Sequence, residues 1–596
     1  MIWTTDFLHP AWLFIALALA LPWVKLEKPR GRYLLLVPPV VAMIAVLVMN
    51  HGTYGQISYL GADLVLGRVD TLSVVFASVF AIQALIGMIY SLHLADRAHQ
   101  AAASLYVAGA FGCVFAGDYL TLFIFWELMS VASTCLVWLN RCERSTRAGF
   151  RYFMFHTLGG LLLLGGLLLR WQATGSLAFD PIDPAAAQLY DWLILGGFCV
   201  NAAVVPLHAW LPDTYPEATV PGAVFMCAFT TKTAVYVLAR AFAGFEILAV
   251  AGTIMAVYGV LYASMENNAR RILSYHIVSQ VGYMVAGIGI GTTMTINGAV
   301  AHAYAHILYK GLLFMGTGCL LHAAGTANLD QLGGLVRRLP WVMILYMVGA
   351  VSISGVPFFN GFISKTMTIH GAVEHHHQII GLLLEVAAVG TFLSVGIKLP
   401  YFAFFAKDDN PVVLKPIPKN MMVAMAIAAG LCFLQGVYPQ MLYRMLPYPV
   451  EYVPYDTWKV LQALLLLGFT GLGFILVRRT IRPHAGRNLD VDALYRVIGR
   501  GLTTAITRPL AAIDSVWTTV YRVVGLRVLT GASRMAGIFD RKGIDTVVDG
   551  TAYTVRNTGR LAVRMQTGRL QDHLAWMMVL ALLVFAVVWW VADIGI

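Results

Sequence analysis

Six ionisable side chains stand inside long apolar runs of this 596-residue chain: Glu127, Lys232, His302, His306, Lys310 and Lys365. Glu127 lies in Leu122-Phe-Ile-Phe-Trp-Glu-Leu-Met-Ser130, and Lys232 lies in Phe229-Thr-Thr-Lys-Thr-Ala-Val235. An ionised group in such surroundings must pair, lose its charge or reach water, so each is a candidate for taking and releasing a proton. The other reading of either residue is a static ion pair between helices. His302, His306 and Lys310 follow one another at i, i+4 and i+8, a stripe on one helical face. Two histidines at that spacing are also a zinc pattern, but neither H-E-x-x-H nor a carboxylate third ligand accompanies them. A wire of imidazole and amine groups fits better, with helix–helix hydrogen bonding as the alternative. Lys365 closes the run Gly355-Val-Pro-Phe-Phe-Asn-Gly-Phe-Ile-Ser-Lys365. His276 either extends the path or is a satisfied structural histidine. Lys398 is either a cytoplasmic exit or an interface anchor. Glu374-His-His-His377 reads as a solvated outward loop, with adventitious metal as its other use.

The elements that position these groups are membrane helices. Apolar residues make up 59% of the chain and charged residues 12%, where a soluble domain is nearer half and a quarter. Apolar runs long enough to cross the hydrocarbon recur from end to end. A soluble enzyme, a disulfide scaffold, a disordered chain and an outer-membrane barrel are excluded. The seven cysteines include no C-x-x-C, so iron–sulfur, c-type haem and zinc-ribbon sites lack their ligand spacing. The first apolar stretch follows an acidic start, which is not the pattern of a cleavable signal.

The expected fold is an all-α polytopic membrane protein of about sixteen spans. They fall near 10–26, 33–50, 70–92, 100–117, 118–139, 150–171, 189–207, 219–242, 247–266, 271–291, 293–322, 340–364, 378–405, 419–443, 457–477 and 573–595. Lys and Arg collect in the loops after spans 1, 5, 9, 11 and 13, which places those loops in the cytoplasm and both termini outside. Pro206 and Pro212 interrupt span 7, and Pro357 and Gly361 interrupt span 12. Breaks at matching places suggest two inverted five-helix repeats, spans 4–8 (100–242) and 9–13 (247–405). Residues 1–99 hold the first three spans, 419–477 two more, and 573–596 a C-terminal anchor. Residues 478–572 differ: they carry 16 Lys/Arg against 7 Asp/Glu, most of the chain's net +11. Arg496, Arg500 and Arg508, and again Arg556, Arg560 and Arg564, recur at helical spacing. This predicts an amphipathic helix along the cytoplasmic surface, with breaks expected at Gly525, Gly531, Gly537 and Gly543. A solvated basic loop near anionic lipid is the alternative.

Several strings together resemble the antiporter-like subunits of respiratory complex I, Mrp-type sodium/proton antiporters and membrane-bound hydrogenases. They are Phe125-Trp-Glu-Leu128, Val205-Pro-Leu-His-Ala-Trp-Leu-Pro212, Arg271-Ile-Leu-Ser-Tyr-His-Ile-Val-Ser-Gln-Val-Gly-Tyr283, His306-Ile-Leu-Tyr-Lys-Gly-Leu-Leu-Phe314 and Gly361-Phe-Ile-Ser-Lys365. The stretch Tyr275-His-Ile-Val-Ser-Gln280 looks most like the D subunit of the Mrp-type antiporters, which implies a D-type core. Gln566-Thr-Gly-Arg-Leu-Gln571 resembles the end of the lateral helix in the L-type complex I subunit. The resemblance implies a hydrated mid-membrane axis onto which Glu127, Lys232, His302, His306, Lys310 and Lys365 map. One position departs: the lysine expected five residues before Pro206 is Asn201. Either Lys232 replaces it as partner of Glu127, or this half has lost pumping, or the amide coordinates an ion.

The resemblance thus implies a proton-translocating subunit of a multi-subunit cation-pumping complex in a prokaryotic inner membrane. Its partners would be other membrane subunits and the lipid bilayer, with protons and in one reading Na+ as cargo, and with no nucleic acid. Coupling would come from redox partners or from Na+/H+ exchange. No cofactor-binding motif and no metal site is expected in this chain. The rival expectation is a structural subunit whose polar axis is degenerate and whose lateral segment clamps its neighbours.

Overall fold

Caps and breakers set the helix ends in this computed structural model, which describes residues 8–59, 61–406, 413–478, 480–486 and 488–593. Lys407, Arg479 and Arg487 of the basic segments, and residues 594 and 595 of the last expected span, lie outside the described residues. The chain forms two units, residues 1–493 and 494–596.

Eleven helices among the described residues are long and apolar enough to cross a membrane. Shorter or more polar helices, among them Pro10–Ala20, Arg97–Phe115, Leu189–Asn201, Ala269–Ile290 and Pro340–Ser354, occupy other expected spans. Asp118 caps Tyr119–Trp138 by accepting the Thr121 N–H, and Asn268 caps Ala269–Ile290 in the same way from Arg270 and Arg271. Capping boxes open Glu143–Thr174, through Cys142 and Ser145, and Thr293–Ala324, through Thr292 and Thr295. Gly175 and Gly325 end those two helices in the left-handed conformation. Between Glu246–Met265 and Ala269–Ile290 the backbones nearly touch. A Cβ on Gly252 would fall 2.3 Å from the Ala286 nitrogen, and one on Gly289 would fall 2.0 Å from that of Ala249.

The all-helical expectation gains one addition. Gly52–Tyr59 and Ala62–Val69 form an antiparallel hairpin whose register pairs Gly52 with Val69 and Tyr59 with Ala62. It is tied to the start of the Tyr119–Trp138 helix, since Asp118 accepts the Val65 N–H at 2.8 Å.

Three expected spans are interrupted, and the interruptions shape the site. Leu189–Asn201 stops, and helix resumes at Trp210–Thr214. Val220–Met226 and Thr230–Ala241 are separate segments, a break with no breaker residue to announce it. Pro340–Ser354 stops at Gly355, and a new helix runs Asn360–Glu374. Lys365 therefore sits in the second turn of that new helix rather than closing the twelfth span. In the 378–405 region the helix Gln378–Thr391 passes into π turns at Phe392–Lys398 and Tyr401–Phe405.

The second unit is helical from Leu494 to Met565, and then over Leu570–Asp593. Gly531 and Gly537 lie in regular helix, while Gly525 and Gly543 fall in π turns at Tyr521–Leu526 and Asp540–Ile544. The expected breaks are therefore absorbed without ending the helix, because one extra residue per turn is a smaller disruption than a full stop. Within that unit, none of these helices buries a described residue.

A buried lysine and histidine axis

The helix breaks free carbonyl groups, and lysines fill the vacancies. The Lys232 ammonium donates to the Cys227 carbonyl at 2.8 Å, where the Val220–Met226 segment ends, and to Thr231 Oγ1 at 3.0 Å. Lys365 donates to the Ile353 carbonyl at 2.8 Å, at the end of Pro340–Ser354, and stands 5.1 Å over the Tyr283 ring. Lys398 donates to the carbonyls of Ser264 and Glu266, at 2.6 and 2.9 Å, at the end of Glu246–Met265. Each end leaves carbonyls without intrahelical donors, so a buried ammonium finds acceptors without a carboxylate.

Between Lys232 and Lys365 runs the stripe on Thr293–Ala324. His302, His306 and Lys310 are wholly buried. His302 Nδ1 lies 3.0 Å from Ser364 Oγ, and its Nε2 lies 3.3 Å from the Tyr309 hydroxyl. The His302 and His306 rings are 6.3 Å apart. Among the described residues, neither nitrogen of His306 nor Lys310 Nζ has a hydrogen-bond partner. His306 interacts electrostatically with Lys232, Lys310, His302 and Lys365, and Lys310 interacts with both Lys232 and Lys365. Among the described residues no ion pair includes any of these groups. Simultaneous protonation of all of them would pile positive charge into a poorly screened core. The cluster thus offers more proton sites than it can fill, which is what a hopping proton needs.

His276 joins this region from Ala269–Ile290, its Nε2 2.6 Å from Ser394 Oγ in the π turn. A cavity of about 450 Å³ opens beside Lys365 and is lined by Gly355, His370, Glu385, Asp456, Lys459 and Gln462, among others. Neither the cavity nor Glu385 stands out in the sequence, because its polar lining comes from three separate helices.

Glu127 stands apart. It is half-buried, its Oε1 has no hydrogen-bond partner, and it packs into the space left by Gly160. A direct Glu127–Lys232 pair, one reading of the Asn201 departure, is not formed: Lys232 spends its hydrogen bonds on Cys227 and Thr231. Asn201 is wholly buried at the end of Leu189–Asn201, beside His156.

The structure adds a carboxylate that carries no signal in the sequence. Asp490 is 8% exposed, and the hydroxyls of Tyr258 and Tyr275 both donate to it. His208 Nε2, at the helix break after Asn201, lies 3.4 Å from Oδ1. Burial by itself raises the Asp490 pKa, but the hydrogen bonds and charge of His208, with the two phenols, outweigh it and hold the carboxyl well below its usual range. A depressed folded-state pKa stabilises the fold at pH values above the ordinary carboxylate pKa, and that stability is lost as pH falls through the lower folded value. Asp490→Asn is expected to cost about 3 kcal/mol at pH 7, by the usual penalty for breaking a buried pair. Thermal unfolding in detergent should show a lower melting temperature that converges with the unmutated chain only in strong acid. An unchanged melting temperature at pH 7 would refute this role.

Fold and axis together define a polytopic membrane protein with lysines and histidines buried in its core beside broken helices. Residues 116–393 match the family described as NADH:quinone oxidoreductase/Mrp antiporter, TM. The D component of the Na(+)/H(+) antiporter of Alkalihalophilus pseudofirmus is 31% identical over 324 residues, 51% of this chain and 65% of that protein. Hydrogenase-4 component B of Escherichia coli is 28% identical over 423 residues, 63% of this chain and 62% of that protein. The chain thus spans a little under two thirds of the length of these relatives. A chain of respiratory complex I from Thermus thermophilus superposes with a TM-score of 0.63 at 23% identity, covering 73% of this chain and 98% of that one. At that identity the likeness is one of fold.

Proposed function

We propose that this chain carries protons through the membrane as one subunit of a multi-subunit cation-pumping complex. The observation that carries the reading is the run of Lys232, Lys310, His306, His302 and Lys365, buried together with no carboxylate ion-paired to them among the described residues. A static structural role gives no return for that cost, which disfavours a degenerate clamp. Protons hop along the axis to Lys365 and leave through the adjoining cavity toward the outward face. Lys398, held at the opposite end of its helix pair, serves the cytoplasmic side. His276 extends the axis through Ser394. The charge on Glu127 gates the hop.

The positive loops support an inner-membrane orientation with both termini outside and the 478–572 segment on the cytoplasmic side. The helices of the second unit support membrane partners, since their apolar face has no cover within that unit among the described residues. The driving force comes from those partners, either by redox chemistry or by exchange against Na+. The matching breaks support spans 4–8 and 9–13 as inverted repeats.

The test is to isolate the complex in mild detergent, identify its chains by mass spectrometry and reconstitute it in vesicles with an internal pH dye. Proton movement is expected on energising the complex, with reductant if the partners carry iron–sulfur, nickel or flavin motifs, or with a Na+ gradient if they are only small membrane subunits. A fully assembled complex that moves no protons under either drive would sink the proposal.

A further inference from the structure

Two helices of this chain are built alike. Glu143–Thr174 and Thr293–Ala324 each have 32 residues, with N-caps at Cys142 and Thr292 and left-handed C-caps at Gly175 and Gly325. Isolated β-bridges frame them in the same way, Asp118 with Ala178 and Asn268 with Asn328. Every one of these pairs is 150 positions apart. On that register Tyr152, His156 and Gly160 fall on His302, His306 and Lys310. The first half of the bundle therefore carries its own version of the stripe, with one histidine retained.

The surroundings of His156 differ from those of a packing residue. It is wholly buried, with its ring centroid 4.1 Å from that of Tyr152 and 4.6 Å from that of Trp210. It interacts with Asn201, yet among the described residues neither ring nitrogen and neither amide atom of Asn201 has a hydrogen bond of regular geometry. Buried polar atoms left so are costly, and a phenyl ring would fill the same space without the cost. One helical turn onward, the place of Lys310 is taken by Gly160. A Cβ there would lie 2.0 Å from Glu127 Oε1, so the carboxylate occupies the room that a side chain would need. Gly159, on the neighbouring face, lets the Leu189–Asn201 helix close in: a Cβ on it would meet Val200 at 3.2 Å. The helix Glu143–Thr174 thus meets Asn201 at His156 and Glu127 at Gly160, one turn onward. Hydroxyls continue the route: Tyr152 lies 2.9 Å from Ser133 Oγ and interacts with Thr230, two residues before Lys232, and Thr230 lies 2.6 Å from the Tyr106 hydroxyl.

We propose that His156 is the protonatable group of the first half-bundle, standing beside Asn201, where the resemblance implies a lysine, and relaying protons between Glu127 and the Lys232 end of the axis. The imidazole accepts a proton on one nitrogen and gives one up from the other, so no further reactant is needed. This rests on the proton-moving function proposed above.

The test uses the whole complex in vesicles with the pH dye. His156→Phe keeps an aromatic in the Tyr152–Trp210 sandwich and is expected to lower proton flux about 100-fold, the scale of a lost acid–base group. Adding Asn201→Lys is expected to restore flux to His156→Phe, because a lysine on the adjacent helix returns an exchangeable proton, whereas it could not mend a packing fault. If His156→Phe fails to assemble, His156→Gln takes its place with the same two expectations. Unimpaired flux in the His156 variant, or a loss that Asn201→Lys does not restore, overturns the proposal. Lys310→Met is run alongside. Flux lost in Lys310→Met but kept in the His156 variant refutes the relay and leaves the proposed function standing, while flux kept in both refutes the function itself.

Discussion

Lys310→Met is expected to abolish proton transport while the complex still assembles. Lys310 Nζ is buried in the middle of the Thr293–Ala324 helix and donates to no group among the described residues. Methionine matches its length, packs flexibly and carries no charge, so the fold loses no hydrogen bond and sheds an uncompensated cation. The melting temperature is therefore expected to hold or rise. Transport loses the station between His306 and the Lys232 end, and removal of a positioned proton carrier costs 10²–10⁴-fold as an order of magnitude. The same change at Lys232 or Lys365 is less decisive. Each of those also strips the donor from a buried carbonyl, that of Cys227 or Ile353, and mixes a folding penalty with the functional one. Flux measured in vesicles beside thermal unfolding in detergent separates the two effects. An assembled Lys310→Met complex that pumps at the unmutated rate would remove Lys310 from the path.

The second large effect is expected at the helix break. A Cβ on Gly361 would lie 1.8 Å from the Ser352 carbonyl oxygen and 2.7 Å from its carbon, both rigid backbone. The Asn360–Glu374 helix begins so close to the end of Pro340–Ser354 that only glycine fits. Gly361→Ala must push the two segments apart, and the Ile353 carbonyl that holds Lys365 moves with them. A stability loss of about 3 kcal/mol, typical of forced overpacking, should accompany loss of proton flux. Gly430→Ala is the control, since nothing lies within 4 Å of its added carbon and alanine favours helix. If Gly361→Ala melts and pumps like Gly430→Ala, the close junction is not what positions Lys365.

Much of this site can be read along the chain because the relations are local. The stripe His302, His306, Lys310 needs only the 3.6-residue turn to place three groups on one face. Glu127, Lys232 and Lys365 stand out because a charge among apolar neighbours is expensive wherever the helix lies. Pro206, Pro212, Pro357 and Gly361 announce breaks through their own backbone chemistry. The break before Thr230 gives no such notice, since Cys227, Ala228 and Phe229 are all acceptable helix residues and tertiary packing ends the segment there. His156 is hard to single out for a related reason. It is a lone histidine in a glycine-rich apolar run, and its meaning depends on Glu127 and Asn201, which arrive on two other helices.

Sequence by itself determined the membrane class, the apolar surroundings of the ionisable groups and the face that His302, His306 and Lys310 share, since these follow from hydropathy and helical period within one segment. Only the tertiary structure decided which acceptors those groups use. Lys398 reaches carbonyls at 264 and 266, and Asp490 reaches phenols at 258 and 275. Such partners are far apart in the chain, and helix packing through small residues chooses among the many faces that could meet. The spacing of residues along one helix carries no record of that choice.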